Sequence, residues 1–278
     1  MARLAALVRL THPFPSVLDG AVVGAVASIA GADPVTAGRL AVSMIALQVS
    51  IGSLNDIIDA PRDAGHKPGK PIPAGLVAPD DARLVVLVAA GVGVFLAIPS
   101  GAATVALAAA ILGIGCGYDR YAKGTAWSWL PFAVGIPLLP VFGWLGVTGS
   151  LPQAFAVLLP AAVAAGAALA IANAQADTER DAAAGADSVA LRLGSRRAWA
   201  VSSGLLLVVV VLAIATLVAA GAQVAVLGAA GVAGLVIASG VVVGRDAGRP
   251  ERERAWELEA IGVGLLAIAW LAGIPLAG

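Results

Sequence analysis

Long runs without a charged residue dominate the hydrophobic pattern of the chain. Residues 84–118, 124–176 and 198–244 contain no Asp, Glu, Lys or Arg, and each run is interrupted by turn-forming residues near its middle. A helix needs about 20 mostly apolar residues to cross the hydrocarbon core of a membrane, where the backbone must satisfy its own hydrogen bonds. Each run therefore predicts two transmembrane helices. Three other mostly apolar segments predict one helix each and bring the total to nine: 13–32, 37–56 and 258–276.

Composition agrees with this pattern. The chain is 60% hydrophobic and 12% charged, with a mean hydropathy of +0.95, whereas soluble domains carry about 25% charged residues. The 17 Lys and Arg residues balance the 17 Asp and Glu residues, which argues against nucleic acid as a partner. The single cysteine, Cys116, excludes an intrachain disulfide and a multi-thiolate metal site. We predict an all-α integral membrane protein formed by one domain over residues 1–278.

Basic residues alternate between the predicted connections. Lys and Arg precede the first helix and follow the second, fourth, sixth and eighth helices, whereas the other connections contain only Arg39. The positive-inside rule then places the N-terminus in the cytoplasm of a cell membrane and the C-terminus outside. Glutamates 251, 253, 257 and 259, interleaved with arginines, predict a self-paired cytoplasmic loop.

Two similar acidic segments follow the second and sixth predicted helices on that cytoplasmic face. Residues 55–63 and 173–181 both have the pattern N-x-x-x-D-x-x-R-D. A spacing of four places Asn173, Asp177 and Asp181 along one helix face, and the first segment forms a similar stripe until Pro61 kinks or ends the helix. Like charges so spaced destabilise a helix unless a cation neutralises them. Carboxylate and amide oxygens suit Mg²⁺, and the repetition argues against ordinary solvated helix ends.

The repeated motif also has an architectural consequence. The two acidic segments follow helices that are four positions apart, which predicts two pseudo-symmetric four-helix units around a central cavity, with a final helix appended. In this arrangement the two carboxylate stripes face each other across the cavity.

These motifs resemble those of the UbiA superfamily of intramembrane prenyltransferases. Segment 55–63, followed by Lys-Pro-Ile-Pro-Ala-Gly at 70–75, is similar to the first family signature. The pair Asp177 and Asp181, with the downstream segment 188–194, is similar to the second signature. A tyrosine and a basic residue form a third element, matched here by Tyr118 and Lys123, although their spacing is one residue longer than usual. Either Arg120 or Lys123 could therefore meet the substrate.

The resemblance implies Mg²⁺-dependent transfer of a prenyl group from an isoprenyl diphosphate donor to an aromatic or lipid acceptor within membrane lipids. It implies catalytic and metal-binding carboxylates in both motifs and substrate-binding residues around them. The implied ligands of the first ion are Asn55, Asp56 and Asp59, supported by Asp63, and those of the second are Asp177 and Asp181. The implied substrate-binding residues are Lys123, Arg120, Tyr118, Lys67 and Asn173.

Some alternatives remain open from the sequence. Asp19, within the first predicted helix, could orient an acceptor hydroxyl, or it could lie shallowly and cap the helix or pair with a basic loop residue. The same fold could serve a terpene cyclase or a phosphoribosyltransferase acting on a polyprenyl phosphate. A transporter is the non-enzymatic alternative, and the scarcity of ionisable residues near the predicted midplane argues against it.

Overall fold

The computed structural model describes residues 2–65 and 69–275. Over these residues the regular structure is entirely helical, with short 3-10 and π-helical turns at 98–100 and 118–122. The predicted substrate residue Lys67 lies outside the described residues. The helices are α1 (Ala2–Leu10), α2 (Pro13–Ile29), α3 (Pro34–Asp63), α4 (Pro79–Ala97), α5 (Ala102–Gly117), α6 (Leu130–Thr148), α7 (Phe155–Ala176), α8 (Thr178–Ala183), α9 (Val189–Leu193), α10 (Ser195–Ala219), α11 (Val224–Gly244) and α12 (Arg249–Gly273).

Most of these helices are long and apolar. In the described part of the chain, eight helical segments are long and apolar enough to cross a membrane. They are α3, α6, α7, α10, α11 and α12, together with α4 and α5 when each is taken with the 3-10 or π-helical turn that follows it. The first predicted span corresponds to α2, which is apolar but only 17 residues long. The all-α transmembrane class is therefore confirmed, with eight helices of spanning length where nine spans were predicted.

The chain packs as two compact units. Unit 1 comprises residues 1–121 and 138–150, and unit 2 comprises residues 122–137 and 151–278. The sequence predicted two four-helix units with a final helix appended. The structure instead divides the fifth predicted span, α6, between the units after Pro137. The pseudo-symmetry of the units and the central cavity between them stay predictions.

Helix α3 has an inner face whose chemistry changes along its length. Its buried positions recur every three or four residues, as expected for one face of a helix. This face is apolar at first, then carries serines, and ends in carboxylates. The buried residues along it are Ala37, Leu40, Ser43, Met44, Leu47, Ser50, Ser53, Asp56, Asp59 and Asp63.

Helix α3 continues through Pro61, where the sequence predicted a kink or an end. The helix includes Asp63, and the amide of Ala64 still donates a hydrogen bond to the carbonyl of Ala60, at 3.2 Å. A proline removes only one backbone donor, and this one lies within the last turn, where few later hydrogen bonds depend on it. At about 1.5 Å per residue, the 30 residues of α3 span about 45 Å, more than a hydrocarbon core of about 30 Å.

Small residues allow the long helices to approach closely within each unit. In unit 1, Gly93 of α4 lies against Leu47 of α3, and the Ser43 hydroxyl donates to the Gly93 carbonyl at 2.7 Å. In unit 2, Gly240 of α11 lies against Glu259 of α12. Close backbone contact is the usual way in which membrane helices gain packing energy, and it accounts for the glycine at these two positions.

Candidate active site

The first acidic motif places three carboxylates on the buried face of α3. Asp56, Asp59 and Asp63 are all buried, with exposures of 2%, 6% and 5%. Their spacings of three and four residues follow directly from the helical repeat. One oxygen of Asp56, Oδ1, accepts from the Lys70 ammonium and contacts His12 Nε2 at 2.9 Å. The other oxygen, Oδ2, is buried and has no hydrogen-bond partner among the described residues.

The segment that carries Lys70 folds into a compact turn. The amides of Leu76 and Val77 both donate to the Pro71 carbonyl, at 3.0 and 3.3 Å, and Gly75 takes a positive φ of 69°. Val77 then packs with α1 in a small apolar cluster. The Pro and Gly residues of this segment thus favour the turn that presents Lys70 to α3.

Asn55 has a partner that sequence analysis missed. Its Nδ2 donates to Asp119 Oδ1 at 2.7 Å, and Asp119 is 5% exposed within the π-helical turn after α5. Tyr118, the predicted site residue beside it, is half-buried, and Arg120 is exposed. The available signal for Asp119 was an acidic residue immediately after an uncharged run of spanning length. Within unit 1, the structure therefore brings Asn55 together with the segment that contains Tyr118.

The second motif does not form the single helical stripe that the sequence predicted. Helix α7 ends at Ala176, Asp177 has φ −104° and ψ 5°, and α8 begins at Thr178. The Thr178 hydroxyl donates to the Gln175 carbonyl at 2.9 Å, so it satisfies a carbonyl that the broken helix leaves open. Asn173 and Asp181 consequently lie on different helices on either side of this break.

Asp177 is half-buried and pairs with Arg180, at 2.6 Å from Oδ1 to Nη1. Arg180 also lies 3.8 Å from Glu253 of α12, and Arg252 of α12 binds Glu179 of α8 through Nη2. This hydrogen bond from Arg252 holds the pKa of Glu179 below its ordinary value. Helix α8 is therefore tied to the beginning of α12 by ion pairs.

These ion pairs correct the prediction of a self-paired loop at residues 251–259. The segment forms the first turns of α12. Glu253 pairs with Arg249 of the same helix, as predicted, but Arg252 and Glu253 also pair with residues of α8. Glu259 is 4% exposed, and its Oε2 has no hydrogen-bond partner in the described part of the chain. Helix periodicity explains the difference, because it turns every third or fourth residue of this segment inward.

Lys123 lies on a loop that contacts the end of the second motif within unit 2. The amide of Asp187 donates to the Gly124 carbonyl at 2.9 Å, and the amide of Ala186 donates to the Asp181 carbonyl at 2.9 Å. Gly124 has φ +71°, a conformation that residues other than glycine rarely adopt. The half-buried Lys123 is thus held near the segment that follows Asp181.

Asp19 lies on α2 and is half-buried. It forms no hydrogen bond with any other residue that the structure describes, so the pairing of Asp19 with a basic loop residue is absent there. Its possible contact with an acceptor hydroxyl stays a prediction.

The donor chemistry of the first motif fits a hard cation such as Mg²⁺. Carboxylates and one amide oxygen are the available groups, and the buried Oδ2 of Asp56 still lacks a partner. Lys70 supplies the positive charge beside Asp56 in the structure. Over residues 2–65 and 69–275, no three His, Cys, Asp or Glu side chains converge as a finished metal site. The proposed ligand sets stay predictions.

The fold and the two motifs define an integral membrane protein with oxygen-rich acidic residues at helix ends. A sequence model of the UbiA prenyltransferase family matches residues 17–272. The chain belongs to this family. No curated protein sequence matches it.

Solved structures share the fold at low sequence identity. A UbiA homologue from Aeropyrum pernix K1 is 19% identical with a TM-score of 0.72, and the match covers 92% of this chain and 96% of that chain. A homologue from Archaeoglobus fulgidus bound to DMAPP and Mg²⁺ is 17% identical with a TM-score of 0.70, over 96% and 99% of the two chains. A structure described for digeranylgeranylglyceryl phosphate synthase is 14% identical with a TM-score of 0.70, over 98% and 99%.

Proposed function

We propose that the protein catalyses Mg²⁺-dependent transfer of an isoprenyl group from an allylic diphosphate to an aromatic quinone precursor or a lipid acceptor. The observation that carries this proposal is the pair of matched acidic motifs at the ends of α3 and α7. Family membership supports it, as do the A. fulgidus homologue structures bound to Mg²⁺ and either DMAPP or GPP.

Each motif has a distinct role in the proposed reaction. Asn55, Asp56 and Asp59 would hold one Mg²⁺ with support from Asp63, and Asp177 and Asp181 would hold the other. Mg²⁺ bound there would supply the positive charge that stabilises the diphosphate leaving group when the allylic C–O bond breaks. The acceptor then forms a bond to the allylic carbon and loses a proton.

Other residues bind and orient the two substrates. Lys123 pairs with diphosphate oxygens, together with Arg120 or Lys67, while Tyr118 and Asn173 contact the donor. Asp19 orients an acceptor hydroxyl. The apolar helices hold the isoprenoid tail and exclude water that would quench the allylic cation.

The proposal is tested by measuring diphosphate release from allylic diphosphates of increasing length, with and without host lipid extract and Mg²⁺. Asp56→Ala and Asp177→Ala should each reduce release by about a hundredfold or more, because each removes charge stabilisation from the leaving group. The matched control is Asp80→Ala, which removes an exposed carboxylate whose only ion pair among residues 2–65 and 69–275 is with Arg83 of its own helix. Wild-type turnover in both motif variants would contradict the proposal.

The products separate the related chemistries. A transferase requires the extract and yields a prenylated acceptor, whereas a cyclase releases diphosphate without extract and forms a hydrocarbon or an alcohol. If no prenyl donor reacts, the transferase proposal fails, and a phosphoribosyl donor and solute uptake in proteoliposomes are the next assays.

A further inference from the structure

A histidine from the beginning of the chain contacts the central carboxylate of the first motif. His12 Nε2 lies 2.9 Å from Asp56 Oδ1, and the Asp56 side chain is only 2% exposed. An ionised carboxylate can only accept hydrogen bonds, so Nε2 carries a hydrogen and donates a hydrogen bond to Oδ1. Nothing in the acidic motif itself points to His12, since the two residues are 44 positions apart.

The backbone holds His12 in an unusual conformation. It joins α1 to α2 with φ 46° and ψ 64°, and it is the only non-glycine residue at positive φ among those described. A left-handed conformation costs free energy at a non-glycine residue, and it persists only where the surrounding structure requires it. The Ser53 hydroxyl of α3 donates to the Leu10 carbonyl at 3.2 Å, which ties this junction to the same helix that carries Asp56.

Helix α3 provides space for the imidazole ring at Gly52. A Cβ atom at this position would lie 3.0 to 3.1 Å from Cβ, Cγ and Cδ2 of His12. Gly52 precedes Asp56 by four residues, so both lie on the same face, one helical turn apart. The ring therefore passes over Gly52 to reach the carboxylate.

We propose that His12 is a positioning residue for the metal-binding carboxylate of Asp56. By fixing Oδ1 it holds the carboxylate so that Oδ2 is directed to the cation. This inference rests on the proposed function, because it takes Asp56 as a Mg²⁺ ligand. It adds a residue outside both acidic motifs, acting through Asp56 and without contact with the substrate.

The first test compares two substitutions of His12. Asn tolerates the left-handed conformation, but its shorter side chain cannot reach Asp56, whereas Gln retains an N–H donor at similar reach. Binding of Mn²⁺, with and without inorganic diphosphate, is measured from the loss of the free-ion signal in electron paramagnetic resonance, which requires no turnover. We expect His12→Asn to weaken Asp56-dependent binding about tenfold and His12→Gln to restore it to within about twofold.

The second test moves the ring without altering it. Gly52→Ala should displace the imidazole by a few tenths of an ångström and weaken Mn²⁺ binding, and this effect should disappear when His12 is already Asn. The matched control is Gly38→Ala on the same helix, because its Cβ would contact nothing within 4 Å. If Gly52→Ala weakens Mn²⁺ binding equally with His12 and with Asn at position 12, the proposed coupling between Gly52 and His12 is contradicted.

The outcomes also separate this inference from the proposed function. Unchanged or tighter Mn²⁺ binding in His12→Asn overturns the positioning role, as does an equal loss in His12→Asn and His12→Gln. The positioning role is also overturned if Asp56→Ala binds Mn²⁺ as tightly as the wild-type protein does. If binding follows the expected pattern but no prenyl donor releases diphosphate, the proposed function fails while the positioning role stands.

Discussion

At the scale of single residues, two aspartates of one helical segment have opposite surroundings. Asp33 precedes α3, where its side chain accepts hydrogen bonds from the amides of Val35 and Thr36 at 2.9 and 3.1 Å. Asp56, near the other end, is buried beside Lys70 and His12. The first caps a helix N-terminus, and the second provides oxygen for the proposed cation.

The cap at Asp33 predicts a pH-dependent contribution to stability. The hydrogen bond from the Thr36 hydroxyl, at 2.6 Å, holds the pKa of Asp33 below its ordinary value. Because this pKa is lower in the folded state, the contribution is complete above the unfolded-state pKa of about 3.9 and is lost as pH falls through the folded-state pKa.

We therefore expect Asp33→Ala to lower the unfolding temperature at pH 7, and we expect this difference from wild type to shrink as pH falls toward 3. This difference in unfolding temperature is measured by thermal unfolding in detergent, monitored through tryptophan fluorescence. Asp33→Asn is the control, since Asn caps without a charge and should retain most of the stability at both pH values. If the difference in unfolding temperature between wild type and Asp33→Ala stays constant with pH, the pH-dependent contribution of Asp33 is contradicted.

The sequence predicts residues of the acidic motifs but not their partners. The motifs are local patterns, so Asp59 and Asp177 can be selected from spacing alone, whereas Asp56 is selected only through the family resemblance. His12 and Asp119 contact the first motif only through folding, at separations of 44 and 64 residues. A single histidine or aspartate carries no periodic signal, which is why sequence analysis did not select either residue.

At the scale of elements, the lengths of the apolar runs predict the helices better than they predict the helix ends. The last span was predicted from residue 258, whereas α12 begins at Arg249. Charged residues end an apolar run in the sequence, but a helix can continue into polar surroundings while its backbone hydrogen bonds persist. The break at Asp177 is the opposite case, because no proline or glycine marks it.

The contact between α3 and α4 gives a prediction with a matched control. A Cβ at Gly93 would lie 2.6 Å from Leu47 Cδ2 and 3.1 Å from the backbone nitrogen of Leu47. Gly93→Ala should therefore destabilise the protein by about 1–3 kcal/mol, because the helices must separate. A Cβ at Gly91 on the same helix would have no atom within 4 Å, so Gly91→Ala should change stability by less than about 0.5 kcal/mol. Thermal unfolding in detergent compares them, and equal effects would contradict close packing at Gly93.

At the scale of the whole molecule, charge distribution is the strongest topological signal in the sequence. Arg39 is the basic residue that departs from the alternation of the loops. In the structure it donates to the Leu96 carbonyl and, at 2.8 Å, to the Ser100 hydroxyl at the end of α4. It thus satisfies groups at a helix C-terminus, where a positive charge is favourable, and its position has a local cause.

The expected orientation can be measured with cysteine labelling, since Cys116 is the only cysteine. In a Cys116→Ser background, Ala184→Cys should react with a membrane-impermeant maleimide only from the cytoplasmic side. Ser150→Cys should react only from the outside. Both positions are exposed in the structure. Intact spheroplasts and inverted vesicles provide the two sides, and the reverse labelling pattern would contradict a cytoplasmic N-terminus.

The division of α6 between the two units has a consequence for synthesis. Residues 122–137 belong to unit 2, yet they leave the ribosome before residues 138–150, which complete unit 1. Unit 1 therefore cannot be completed until the first part of unit 2 has been synthesised. For the same reason, no single cut in the chain yields the two units as separate pieces.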